Sequence, residues 1–146
     1  MFKRILVPID GSPTSDKALA AALQLARESS GRVRLVHSFD ELNYLSGFEQ
    51  GAEVIEQAHG YAEKILQDGL RTARSAGVQA DARMVDSLGQ RLGEQMAEQA
   101  VRFEADLVVV GTHGRRGVGR ALLGSGAEQI IRCAPVAVLT IRGDAA

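Results

Sequence analysis

The chain is predicted to fold as a single α/β domain, a doubly wound five-stranded parallel sheet with helices on both faces. Three observations carry this. Short β-rich apolar runs alternate with stretches whose apolar residues recur at helical spacing. The run Leu107-Val108-Val109-Val110 is apolar at every position, as a strand covered on both faces must be. Finally, 146 residues at 45% hydrophobic content suffice for one core, and no repeat or linker divides residues 1–146.

The first strand is Arg4-Ile5-Leu6-Val7-Pro8-Ile9, where Pro8 suits a strand terminus because it brings no N–H to a ladder. Asp10 and Gly11 turn the chain, and Ser12-Pro13 reads as an N-cap followed by proline at the first helical position. Leu19, Ala22, Leu23 and Ala26 mark the buried stripe of that helix. After a stop at Gly31, residues 32–37 form the second strand, and a loop from Phe39 to Gly51 leads to a helix ending near Gly77, with Ala58, Tyr61, Ile65 and Ala73 facing inward. Residues 79–85 alternate polar with small or apolar side chains, the pattern of an edge strand. Leu92, Met96, Ala100 and Phe103 define the next helix, and the strand at residues 107–110 is placed centrally. A last helix from about Gly126 to Cys133 precedes Pro135 and a final strand, Val136 to Ile141. With the first and fourth strands as neighbours, connections leave toward opposite edges and give the order 3-2-1-4-5. A ligand crevice belongs beside their carboxyl ends, where the winding direction switches.

A formal net charge of -1 offers no broad footprint for nucleic acid or an anionic membrane. The single cysteine, Cys133, excludes an internal disulfide and is read as a small buried apolar residue. The apolar stretch near Met1 is too short for a signal peptide, and no run approaches the roughly 20 residues of a membrane span, so a cytoplasmic location is expected.

The 16 glycines concentrate where they matter most, between Gly111 and Gly126. This segment comes after a buried strand and opens a helix, so unpaired amide N–H groups at the helix start point at an anion. Gly111, Gly114 and Gly124 let the backbone approach such a ligand, and Arg115, Arg116 and Arg120 add positive charge. Ser125 and Glu128 have capping-box spacing. A plain strand–loop–helix connector, with solvated arginines, is the alternative. The eight residues from Gly119 to Gly126 lack the lysine of a P-loop, and Leu122 stands where a dinucleotide fingerprint needs its third glycine, so neither motif accounts for the segment.

Among acids, Asp10 ends the first strand at the crevice, where it serves either as a turn initiator or as a Mg²⁺ holder against phosphate oxygens. His113 lies inside the loop without an evident acid–base partner. His37 and His59 do not match a metal-ligand spacing and are read as structural or exposed.

Taken together, Gly111, Gly114, the nine residues from Arg115 to Leu123, and Gly124-Ser125 resemble the glycine signature of the nucleotide-binding universal stress proteins. The resemblance spans the chain, from the opening Ile5-Leu6-Val7-Pro8-Ile9-Asp10-Gly11-Ser12 to the closing Ala134-Pro135-Val136-Ala137-Val138-Leu139. It implies an ATP, ADP or AMP site in which Gly111, Gly114, Gly124 and Ser125 surround the phosphates and ribose, while Pro8, Ile9 and Asp10 lie near the adenine or a phosphate-bound Mg²⁺. Val110, His113, Arg115, Gly126 and Ala127 complete the implied set. Ser38 stands where family members often carry a branched apolar residue against adenine, and Gly126 and Ala127 replace a valine and a hydroxyl residue often found there. The resemblance also implies a homodimer through antiparallel pairing of the final strand, whose apolar edge is otherwise open to such pairing. The function expected is an ATP-binding stress-response or regulatory protein acting on an unknown downstream partner. A slow ATP hydrolase or nucleotidyl-transfer enzyme, and a ligand-free dimeric interaction module, are the alternatives.

Overall fold

A computed structural model describes residues 1–39, 51–86, 89–112 and 124–143. In chain order the elements are β1 (Arg4–Pro8), α1 (Pro13–Ser29), β2 (Arg32–Phe39), α2 (Gly51–Ser75), β3 (Gln79–Asp86), α3 (Leu92–Phe103), β4 (Leu107–Gly111), α4 (Ser125–Cys133) and β5 (Ala137–Ile141). The strands form one parallel sheet in the order β3-β2-β1-β4-β5, the order expected from the alternation.

Strand periodicity sorts the core into two layers. Ile5, Val7, Val33, Leu35, Leu107 and Val109 point to one face, where Ala18, Leu19, Ala22, Leu23 and Ala26 of α1 and Ile65, Leu66 and Ala73 of α2 cover them. Leu6, Val36, Val108 and Val110 point to the other, under Met96, Ala100 and Phe103 of α3 and Ala127 and Ile130 of α4. The fourth strand is buried on both faces, as its uninterrupted apolar sequence requires.

Pro8 decides where the centre of the sheet opens. The Ile9 N–H donates to the Val36 carbonyl of β2 at 2.8 Å. By alternation, the nitrogen of Pro8 faces β4 and has no hydrogen to give it. Pairing of β1 with β4 runs only from Ile5↔Leu107 to Leu6↔Val108, whereas β1 stays paired to β2 through Pro8↔Val36. The two central strands therefore part at their carboxyl ends. Gly11 then turns the chain at φ +81°, a left-handed conformation that glycine adopts without strain. Ser12 caps α1, its Oγ accepting from the Ser15 N–H at 3.1 Å, with Pro13 opening the helix.

Several expectations need correction. Tyr61 is 49% exposed and Ala58 only half-buried; Ile65 and Ala73 face inward as expected, and Ala62 and Leu66 complete the inward stripe of α2. Its axis is rotated because Gly69, one turn before Ala73, lies against Leu35 of β2. Cys133 is exposed rather than buried, since the last turn of α4 inserts Ile130 and turns Cys133 outward. The capping box at Ser125 does not form: Gly124 takes the extended N-cap conformation, which leaves Ser125 already inside the helix, and Glu128 pairs with Arg132 at 3.0 Å.

At the pole of the sheet remote from the cleft, the guanidinium groups of Arg4 and Arg34 lie over the Phe103 ring at 4.3 and 4.5 Å. Arg34 also donates Nε and Nη2 to the two carboxylate oxygens of Asp81 on β3, each at 2.8 Å. These hydrogen bonds, aided by the positive charges of Arg34, Arg83 and Arg32 and opposed by partial burial, hold the Asp81 carboxyl below its ordinary value of 3.8. A depressed carboxylate adds stability above its unfolded-state value and loses it as pH falls through the folded-state value. Asp81→Asn is therefore expected to cost about 1 kcal/mol at pH 7, the figure for a solvent-screened pair. In urea titrations the gap from wild type should hold down to about pH 5 and narrow as pH drops below 3.8; a gap independent of pH would rule out this role.

Gly111 is needed for packing. A Cβ there would sit 2.7 Å from Thr14 Cγ2 and 3.0 Å from the Thr14 carbonyl oxygen, so its absence lets the first turn of α1 close against β4. Gly111→Ala should destabilise the fold by about 1–3 kcal/mol through overpacking, read as a lower denaturant midpoint with an unchanged slope.

Candidate functional site

Where β1 and β4 part, a cavity of about 430 Å³ opens at the carboxyl ends of β1, β2 and β4, a volume within the range of small-molecule sites. Pro8, Ile9 and Asp10 line it from β1, Val36, His37 and Ser38 from β2, and Val110 and Gly111 from β4. Gly124, Ser125, Gly126 and Ala127 close it from the start of α4, and Leu92 and Met96 from α3. The geometry thus brings together ten of the residues singled out from the sequence: Pro8, Ile9, Asp10, Ser38, Val110, Gly111, Gly124, Ser125, Gly126 and Ala127. His113, Gly114 and Arg115, with Arg116 and Arg120, lie outside the described residues.

The two helix starts facing this region differ in chemistry. At α1 the polar groups satisfy one another: Ser12 Oγ caps Ser15, Ser15 Oγ accepts from the Asp10 N–H at 3.1 Å, and Asp10 Oδ1 accepts from the Ser12 N–H at 2.9 Å. The turn-forming role expected of Asp10 is therefore present. At α4 the N-cap is Gly124, which has no side chain to cap the helix. The N–H groups of Ser125, Gly126 and Ala127 precede the first residue able to bond within the helix, and Glu128 is the first to do so, donating to the Gly124 carbonyl at 3.0 Å. These donors, at the positive end of the helix dipole, border the cavity and suit an anion. Thr112 and Gly124 are tied across the base of the segment, the Gly124 N–H donating to the Thr112 carbonyl at 2.6 Å.

The β2 end supplies polar groups of a different kind. His37 Nδ1 lies 2.8 Å from the Ile9 carbonyl. A carbonyl only accepts, so Nδ1 carries the hydrogen of this bond. Ser38 Oγ donates to Oε1 of Gln95, a 3% exposed residue on α3, at 2.5 Å. Among the described residues Gln95 Nε2 has no hydrogen-bond partner, a condition that costs about 1–3 kcal/mol for a buried amide. Neither Gln95 nor a lining role for His37 is among the expectations from sequence. The signal for Gln95 is one amide between Leu92 and Met96 on the apolar stripe of α3. His59 is exposed on α2, edge-on to Phe39 with ring centroids 4.1 Å apart, in keeping with a structural role.

A second cavity of about 460 Å³ lies between α1 and α2, bordered by Asp16, Lys64 and Asp68. Burial, then the neighbouring carboxylates of Asp10 and Asp68, raises the Asp16 carboxyl above 3.8. This acidic recess disfavours an anion, so it does not compete with the cleft for one. Among the described residues no cluster of three or more histidine, cysteine, aspartate or glutamate side chains is placed to hold a metal. Among them, too, no helix is long and apolar enough to cross a membrane.

The fold recurs in known proteins. The universal stress protein family matches residues 1–142. A Staphylococcus aureus (strain USA300) protein assigned to the universal stress proteins is 30% identical over 141 residues, covering 97% of this chain and 84% of the relative. Among solved structures, the hypothetical protein MJ0577 superposes with a TM-score of 0.84 at 24% identity, over 99% of this chain and 98% of that one. A universal stress protein family member from Burkholderia pseudomallei gives 0.77 at 29% identity, over 95% of each chain. More distant universal stress proteins share the fold and were solved with nucleotides: one with cAMP (TM-score 0.71, 24% identity, 96% of this chain and 97% of that one) and one from Archaeoglobus fulgidus with dAMP (0.70, 22%, 95% and 97%). On a match that runs through nearly all of its length, the chain belongs to the universal stress protein family.

Proposed function

We propose that this protein binds an adenine nucleotide, ATP, ADP or AMP, in the cleft between β1 and β4, and acts in the cytoplasm as a regulatory or stress-response module whose conformation or partner binding depends on nucleotide occupancy. The observation that carries this reading is the start of α4, whose N-cap Gly124 has no side chain: three amide donors border a cavity that is lined elsewhere by Val36, Leu92 and Met96 and by the polar groups of His37 and Ser38. Phosphates suit the amides, and a planar base suits the space beside Val36, Leu92 and Met96. The cAMP and dAMP complexes of family members support the same ligand class. In this reading Gly114, His113 and Arg115 add to the phosphate end. Asp10 fits a Mg²⁺ bound chiefly through phosphate oxygens, since such an ion needs only one or two carboxylates.

Calorimetry of the purified chain with ATP, ADP and AMP tests the proposal, and no heat at millimolar nucleotide would sink it. Ser125→Asp sharpens the test. An acid at the first helical position favours the helix dipole by about 0.3–1 kcal/mol but repels a phosphate placed there, so thermal stability should hold while ATP affinity falls by about tenfold or more.

Assembly is the second part of the proposal. β5 is an edge strand with Ala137 exposed and Leu139 38% exposed, and antiparallel pairing with a second copy would cover that edge. Sedimentation is expected to show a homodimer, and Leu139→Lys should shift it toward monomer. A wild-type monomer at tens of micromolar, roughly the range in which such interfaces are populated, would count against it.

A further inference from the structure

We infer that Ser38 and Gln95 together set the nucleobase preference of the cleft, selecting a purine with an amino group at its 6-position over one with a carbonyl there; this rests on the adenine-nucleotide reading above. If the phosphates occupy the start of α4, which comes after β4, the base falls toward β2, because β1 separates those two strands in the sheet. Ser38 lines the cavity at that end.

The 2.5 Å contact between Ser38 Oγ and Gln95 Oε1 lies in the range of O–H···O bonds and below that of N–H···O bonds. It therefore fixes both the amide orientation and the direction of the hydroxyl. With its hydrogen directed at Gln95, the Ser38 hydroxyl offers the cavity lone pairs alone. An exocyclic amino group can donate to them; a ring carbonyl meets them with its own lone pairs and leaves both unsatisfied.

Gln95 is otherwise hard to account for. It is 3% exposed, its neighbours on α3 are Leu92 and Met96, and its Nε2 has no partner among the described residues. Packing alone would be served by leucine or methionine, which bury no amide. The side-chain oxygen of Gln95 accepts instead from a hydroxyl on the cavity wall, so its role is that of a positioning residue for Ser38.

The test is calorimetric titration of the full chain with ATP and with ITP, which differ at the 6-position, for wild type, Gln95→Leu and Ser38→Ala. Wild type is expected to favour ATP by about tenfold or more, as for a site that hydrogen-bonds one edge of its ligand. In Gln95→Leu the freed hydroxyl can turn and donate, so the preference should shrink to within about threefold. Its melting temperature should be retained, because loss of the bond to Oε1 is offset by removing a buried Nε2 that has no partner among the described residues. Ser38→Ala should lose the preference in the same way, and it carries the test alone if Gln95→Leu does not fold. A wild-type ratio near one, or a ratio unchanged in the folded variants, overturns the assignment while leaving nucleotide binding intact. Binding of neither nucleotide to wild type overturns the binding proposal and this assignment with it.

Discussion

The short pairing of β1 with β4 is the constraint on which the rest of the structure depends. These strands lie at the centre of the sheet, and the chain winds away from them in opposite directions. Pro8 ends their ladder after Leu6↔Val108 by bringing no hydrogen to the β4 side. A cleft must open there. Everything that gives the cleft its chemistry is placed by the segments leaving those two strands: the Asp10-Gly11 turn and α1 after one, and the glycine-rich segment and α4 after the other.

The two ends of the cleft divide the chemistry between backbone and side chains. Backbone amides at α4 suit negative charge without specifying what carries it, and Gly124, Gly126 and Ala127 keep their surroundings small. Ser38 and His37 at β2 present directional side-chain groups, each fixed by a bond to a buried partner, Gln95 Oε1 for one and the Ile9 carbonyl for the other. Gln95 Nε2, without a partner among the described residues, is the energetic counterpart of that arrangement. At the opposite pole of the sheet there is no comparable tension, since Arg4, Arg34, Phe103 and Asp81 satisfy one another.

Strand order, helix placement and most of the cleft lining are legible in the sequence because they arise from periodicity and from punctuation by Pro8, Gly11, Ser12 and Pro13. The features that escape depend on contacts between distant segments. Gly111 reads as room for a ligand, yet its missing Cβ is where Thr14 of α1 sits. The Ser125 and Glu128 spacing is right for a capping box, but the extended conformation at Gly124 moves the helix start by one residue and turns Glu128 toward Arg132. Tyr61 falls off the inward face of α2 because Gly69, not the tyrosine, sets the rotation of that helix against the sheet. Gln95 is hidden among apolar neighbours, and its partner lies on β2, 57 positions earlier.

Thr112 binds at two points: its N–H donates to the Ile141 carbonyl of β5, and its carbonyl accepts from the Gly124 N–H. Residues 112 and 124 are therefore held together by the scaffold, so the entropy of bringing these two positions into register is met by the fold itself rather than by a ligand.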